Sequence, residues 1–240
     1  MNVLLRSLFL QCSWNLERMQ NLGFLYSLMP ALKKIYSREE DLRAAQARHL
    51  ELFNSQPYMV TGILGAVVNL EKQCAEGKIA PDYISLFKKN TMSGFAALGD
   101  SFFWNTLRPL SAAIALVFAF KGRLWAPLAL LAIYNTAHFF VRGRGYVVGR
   151  RKGVGLIDEF QKWRVPDRVK RLRILTPLVL ALALFYSVSV AVDGVQWWAQ
   201  LSMLPAVFLF RFFFVRNISP AAILLGVFAL ATLAALIMEV

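Results

Sequence analysis

The sequence predicts an all-α integral membrane protein, with N-terminal amphipathic helices, re-entrant or broken helices in its middle and C-terminal transmembrane helices. Three observations lead there. Apolar residues make up 58% of 240 positions, and mean hydropathy is +0.50. Ordinary soluble domains hold roughly 45–50%. Apolar runs at 107–120, 124–141, 174–192, 197–210 and 218–238 approach the ~20 residues that a spanning helix needs. Finally, 27 Lys and Arg against 14 Asp and Glu give a net charge of +13. Those cations interrupt or flank the apolar runs, which fits membrane orientation and contact with anionic lipid. On a soluble chain the same excess would point to nucleic acid; here no nucleic-acid partner is expected.

Residues 1–57 read as the amphipathic helices. Over 1–29, Val3, Leu4, Leu8, Trp14, Leu22 and Leu25 alternate with Arg6, Gln11, Asn15, Arg18 and Asn21. This stretch is too polar to span, so it lies at the interface or against protein. Gln11 and Asn15 follow the first short apolar run without a small-residue cleavage pattern, so no cleaved signal peptide is expected. Pro30 marks a helix boundary. A second amphipathic helix is predicted over 37–52, where Ser37 and Glu40 make a capping-box pattern. Glu39, Glu40, Asp41, Arg43, Arg48 and Glu51 give it a wet face, and His49 lies on this charged helix.

Residues 58–141 read as re-entrant or short membrane segments. Both 58–74, with Gly62 and Gly65, and 91–106, tipped with polar residues, are short for spanning. Short, Gly-interrupted apolar segments place backbone and polar side chains near the bilayer midplane. Residues 142–173 form a basic segment, which the positive-inside rule puts in the cytoplasm. Residues 174–240 are the transmembrane helices, with Asp193-Gly194 outside, Arg211 and Arg216 inside and the C-terminus outside. Lys121 and Arg123 then fall outside, against the rule, so 107–141 is not a simple hairpin.

Cys12 and Cys74 make neither a disulfide framework nor a zinc site and read as buried small hydrophobes. No metal or other cofactor is expected. Gly143-Arg144-Gly145-Tyr146-Val147-Val148-Gly149 lacks the spacing of a phosphate loop and reads as a turn with basic anchors at a membrane exit.

Gly99-Asp100-Ser101-Phe102-Phe103-Trp104 resembles the Gly-Asp-Ser-x-Phe-Trp signature of the IID membrane component of mannose/fructose/sorbose-family sugar phosphotransferase systems. The segments 10–23 and 30–36 resemble that family's N-terminal region. Residues 48–58 resemble its Phe-Asn-Thr-His-Pro box, and Gly62, Gly65 and Glu71 its Gly-rich segment with an acidic end. These matches run in order from about Leu10 to Gly149; beyond them the chain is similar only in being apolar. Two departures stand out: Gln56 where the family often has His, and Ser93–Leu98 where it usually reads Gly-Pro-Leu-Ala-Gly-Ile.

The resemblance implies a bacterial inner-membrane, multi-pass subunit that pairs with a IIC membrane subunit to translocate a mannose-type hexose. Cytoplasmic IIA and IIB subunits carry the phosphoryl group, IIB phosphorylates the entering sugar, and IIC–IID pairs assemble further. This chain alone is then not an enzyme and carries no phosphohistidine at His49 or His138. Asp100 is the leading site residue, because a carboxylate beside an apolar region costs about 2.5–3.5 kcal/mol on insertion scales and marks substrate paths. Ser101, Asn105 and Thr106 supply hydroxyls and an amide for sugar hydroxyls, and Trp104 a ring face. Asp100 read only as a helix N-cap stands beside this. Asn54 and Gln56 read as hydrogen-bonding groups or as a turn before Pro57. Glu71 reads either as a site residue or as an interfacial, solvated carboxylate. A IID-like sensor without transport and an unrelated helical membrane enzyme are the rival functions.

Overall fold

The computed structural model describes residues 2–191 and, beyond them, only positions 212, 216, 219, 225 and 226. The predicted runs 197–210 and 218–238 and the Asp193-Gly194 turn lie essentially outside the described residues. Within them every regular element is a helix. By contacts the chain forms two compact units, 1–112 with 128–174, and 113–127 with 175–240.

The first unit opens with α1 (Val3–Arg6) and a 3-10 turn at Ser7–Phe9. Residues 10–20 are turns rather than the predicted helix. The side chains of Asn15 and Asn21 bond each other at 3.0 Å, and the Asn15 Oδ1 accepts from the Arg18 amide. Such local bonds offer the backbone an alternative to helix. α2 (Asn21–Ile35) follows, with Pro30 inside it rather than at its boundary. A proline cannot bond the carbonyl one turn back. Arg6 Nη1 serves that orphan, Tyr26 O, at 3.3 Å.

α3 (Glu39–His49) starts after Arg38 with no side-chain cap, so the Ser37–Glu40 capping box does not form. Arg38 instead pairs with Glu40 at 3.1 Å. α4 (Val60–Ala75) is buried along nearly its whole length, including Gly62, Gly65 and Glu71. A helix apolar all round is a core helix, and α2, α5 and α8 surround it.

α5 (Pro81–Gly99), a π-helical segment (Asp100–Leu107) and α6 (Arg108–Phe120) run as one unbroken helix. Residues 91–106 are thus the middle of a 40-residue rod and not a separate short segment. It is long and apolar enough to cross a membrane.

α7 (Ala126–Lys152) carries Gly143–Gly149 as continuous helix, which removes the membrane-exit turn read there. Gly145 and Gly149 lie four apart, a small-xxx-small face that lets backbones approach. A Cβ on Gly149 would sit 2.1 Å from Gly62 O, and one on Gly65 would sit 2.4 Å from Tyr146 O. α8 (Leu156–Lys162) and α9 (Val165–Ala191) follow, so the basic segment 142–173 is largely helical. Leu156 and Phe160 seat against Gly62. In the second unit, Phe118 and Trp125 rings pack at 4.6 Å, and Lys121 Nζ lies 4.5 Å from the Tyr186 ring centre. Cys12 is exposed and Cys74 half-buried, so neither is the buried hydrophobe expected.

Candidate functional site

Asp100 opens the π segment in the interior of the rod, with φ −62° and ψ −43°. Helical dihedrals followed by helix to Phe120 remove the N-cap reading. Asp100 is half-buried, and its solvent-accessible carboxylate has no hydrogen-bond or ion-pair partner among the described residues. π segments recur at functional sites because they re-aim side chains within a helix. Here Thr106 Oγ1 donates to Ser101 O, five residues back, at 2.8 Å. Arg173 of α9 donates to both hydroxyls, Nε to Thr106 Oγ1 at 3.3 Å and Nη2 to Ser101 Oγ at 3.2 Å. Trp104 and Asn105 are exposed, and the Arg108 guanidinium lies 5.7 Å from the Trp104 ring centre. A carboxylate, an amide and an indole face within six residues are groups that can bond or stack on a hydroxyl-rich ligand.

Gln56 lies beside this segment. It is buried, and its Cβ and Cγ occupy the space that a side chain on Gly99 would need. Its Oε1 accepts from the Tyr58 amide at 2.8 Å and the Met59 amide at 3.1 Å, serving as the turn into α4. Its Nε2 is a buried donor without a partner among the described residues. Asn54 is exposed and stands apart from the segment. Its neighbour Ser55 is clamped in both directions by the Gln20 amide, Nε2 to Ser55 O at 2.8 Å and Ser55 N to Oε1 at 3.0 Å. Two of the family-like motifs are therefore one piece of structure.

A cluster that the sequence reading did not single out borders the segment. The Tyr58 ring meets Phe103 at 4.8 Å, Trp104 at 5.9 Å and His138 at 4.0 Å. Tyr134 Oη donates to Tyr58 Oη at 3.2 Å. Arg142, 5% exposed, donates to His138 Nε2 at 3.1 Å, Ser7 Oγ at 2.7 Å and Pro57 O at 3.2 Å. His138 Nε2 thus accepts, and Nδ1 donates to Asn135 Oδ1 at 3.3 Å. The usable signal was His138 and Arg142 spaced i, i+4 on an apolar helix, since ionisable groups there face the protein interior.

Glu71 is not solvated. It is fully buried at the centre of a second cluster, remote from the π segment in its contacts. Arg48 Nε reaches Oε1 at 2.8 Å and Arg48 Nη2 reaches Oε2 at 3.0 Å, a bidentate pair. Tyr36 Oη donates to Oε2 at 2.7 Å, and His49 Nε2 meets Oε1 at 2.8 Å. Buried Lys88 of α5 donates to Arg48 O. Burial alone raises the Glu71 pKa, but hydrogen bonds from His49, Arg48 and Tyr36 outweigh it and hold it down to about 2.

His49 lies inside the fold and not on a wet face. Burial pushes its pKa below the ordinary value; the nearby Lys88 and Arg48 add to this, against the pull of Glu71. The geometry agrees: Nδ1 is buried without a partner among the described residues, tolerable for a lone pair and costly for an imidazolium N–H. A histidine depressed in the fold adds stability above its unfolded pKa of about 6.5, and that stability is lost as pH falls. Unfolding midpoints are therefore expected to drop between pH 7.5 and 5.5, by up to about 1.4 kcal/mol per unit for this one group below pH 6.5. His49→Gln should flatten that slope; an unchanged slope would show that His49 is not its source.

The whole chain, residues 1–239, matches the family model of the mannose/fructose/sorbose family IID component of the phosphotransferase system. Over 159 residues it is 39% identical to the mannose-specific EIID component of Escherichia coli K12, covering 65% of this chain and 56% of that one. It is 32% identical over 180 residues to the fructose permease IID component of Bacillus subtilis, covering 75% and 66%. The first of these alignments spans little more than half of the relative's length. A solved membrane protein superposes with TM-score 0.75 and 29% identity over 97% of this chain and 94% of that one. The mannose transporter ManYZ, solved in complex with microcin E492, superposes with TM-score 0.62 and 29% identity over 98% and 94%.

Proposed function

The chain is an all-helical membrane protein that belongs to the mannose/fructose/sorbose family of phosphotransferase-system IID components, and from that premise we propose that it is the IID half of a sugar-translocating unit. It pairs with a IIC subunit in a bacterial inner membrane, and such pairs assemble further. The unit passes a mannose-type hexose inward to a cytoplasmic IIB subunit, itself charged by IIA. Phosphoryl transfer belongs to those subunits, and this chain binds and positions. The chain crosses the membrane more than once, with the basic segment 142–173 on the cytoplasmic side.

One observation carries the site: a carboxylate without a partner among the described residues, Asp100, on the π segment of a long apolar helix. Leaving a charge there unpaired is costly, and a sugar's hydroxyls supply the missing donors. Ser101, Trp104 and Asn105 form the rest of that face, and buried Thr106 braces it through its bonds with Ser101 O and Arg173. Gln56 backs it, exposed Asn54 flanks Gln56 two residues earlier in the chain, and Glu71 supports it from a distance by holding α4 in place.

The test is uptake of radiolabelled mannose by cells that express the chain with its IIC subunit and the soluble components. Asp100→Asn is expected to lower uptake ten- to a hundred-fold, the equivalent of losing a charge-assisted bond of about 1.5–3 kcal/mol. The amount of assembled complex should stay unchanged, because no described residue bonds that carboxylate. Uptake that is unaffected by Asp100→Asn would remove Asp100 from the sugar path. Uptake that is independent of the chain altogether would end the transport reading.

A further inference from the structure

Five cations converge on one open cleft of about 810 Å³ in the first unit: Arg6, Lys33, Lys34, Lys72 and Arg150, with no acidic residue among the described ones that line it. They come from the last turns of four helices, α1, α2, α4 and α7. A cation at a helix C-terminus complements the helix dipole. That explains each one singly and not their meeting, since clustered like charges repel. Among the described residues, only Lys72 has a carboxylate within ion-pair reach, Glu76 at 3.8 Å. Arg6 keeps a buried Nε with no hydrogen-bond partner, although its Nη1 serves Tyr26 O. Between the cations the floor is apolar, formed by Pro30, Ile35 and the buried Val3 and Val68.

We propose that this cleft binds a phosphate ester, and that the ester is the headgroup of an anionic phospholipid. The positive rim supplies the counter-charge and donors that a phosphate needs. The apolar floor gives an acyl chain a dry surface, which a soluble ester would not use. Arg150 belongs to the basic segment read as cytoplasmic, and the cytoplasmic leaflet carries the anionic lipid. The proposal rests on that orientation and is independent of sugar transport.

The test uses the full chain purified in the membrane complex that it forms. Native mass spectrometry in mild detergent titrates phosphatidylglycerol and, separately, phosphatidylcholine. Calorimetry with glycerol 3-phosphate tests the soluble source. Phosphatidylglycerol should bind at least tenfold more tightly than either alternative. Lys33→Gln, Lys34→Gln and Arg150→Gln combined should weaken it roughly a hundred-fold, at a factor of about five per charge. All three side chains are exposed, so the variant should keep its unfolding midpoint. Lys89→Gln with Lys162→Gln, outside the cleft, should leave binding unchanged. Glycerol 3-phosphate binding as tightly as lipid would overturn the lipid source. Undiminished lipid binding in the triple variant would overturn the site.

Discussion

Glu71→Leu is expected to cost about 3–5 kcal/mol of stability, the usual loss when one partner of a buried ion pair is removed. Four side chains depend on that carboxylate or on its neighbours. Arg48 would be left nearly buried with no anion, and Tyr36 and His49 would each lose an acceptor. Lys88 would keep Arg48 O but lose the favourable charge of Glu71 nearby. Because these groups come from the end of α2, α3, α4 and α5, the loss should be felt as separation of helices. Unfolding midpoints in detergent measure it. Adding Arg48→Met to Glu71→Leu should recover part of the loss, since replacing both members of a buried pair is often near neutral. A double-mutant cycle reads the coupling directly. A Glu71→Leu protein within about 1 kcal/mol of the parent would show that the cluster does not hold the helices.

Gly149→Val is expected to cost about 3 kcal/mol or more. Its first side-chain carbon would sit 2.1 Å from Gly62 O and 2.7 Å from Ala66 N. Both are backbone atoms of a helix packed on all sides, so neither can step aside as a side-chain tip would. α4 and α7 would have to part, opening the core around Ile63 and Val67. Gly143→Ala, six residues earlier on the same helix, is the comparison. Among the described residues nothing lies within 4 Å of where its Cβ would be, so it should be neutral or stabilise by roughly 0.5–1 kcal/mol, the helix preference of Ala over Gly. Midpoints that fall equally for both variants would contradict the close crossing of α4 and α7.

Composition and apolar runs were enough to read an all-helical membrane protein, because hydropathy is a local property of the chain. The details that failed depend on partners distant in sequence. Glu71 looked solvated because its three partners lie 22 to 35 residues away. The nearly complete apolar girth of α4 was nonetheless visible, and a lone carboxylate in such a helix implies buried cations. Residues 91–106 looked broken because Gly94, Gly99 and the polar residues after them resemble a helix end. Gly99 in fact makes room for Gln56, and the helix changes winding without stopping. Pro30 looked like a boundary because the guanidinium that rescues Tyr26 O comes from Arg6. Of the candidate site residues, the run from Asp100 to Thr106 could be singled out because it is contiguous in the chain. Tyr58, Tyr134, Arg142 and Arg173 join it only through the fold.

Arg173 holds two hydroxyls five residues apart, Ser101 Oγ and Thr106 Oγ1. In ordinary α winding, at 3.6 residues per turn, those two positions point about 140° away from each other. One planar fork could not span them. The wider winding of residues 100–107 turns both toward α9, so the guanidinium works as a gauge of helix pitch. Tightening the rod by a residue would break one of its two grips and swing Trp104 and Asn105 to a new bearing. The direction in which the polar face looks is thereby tied to a side chain on another helix.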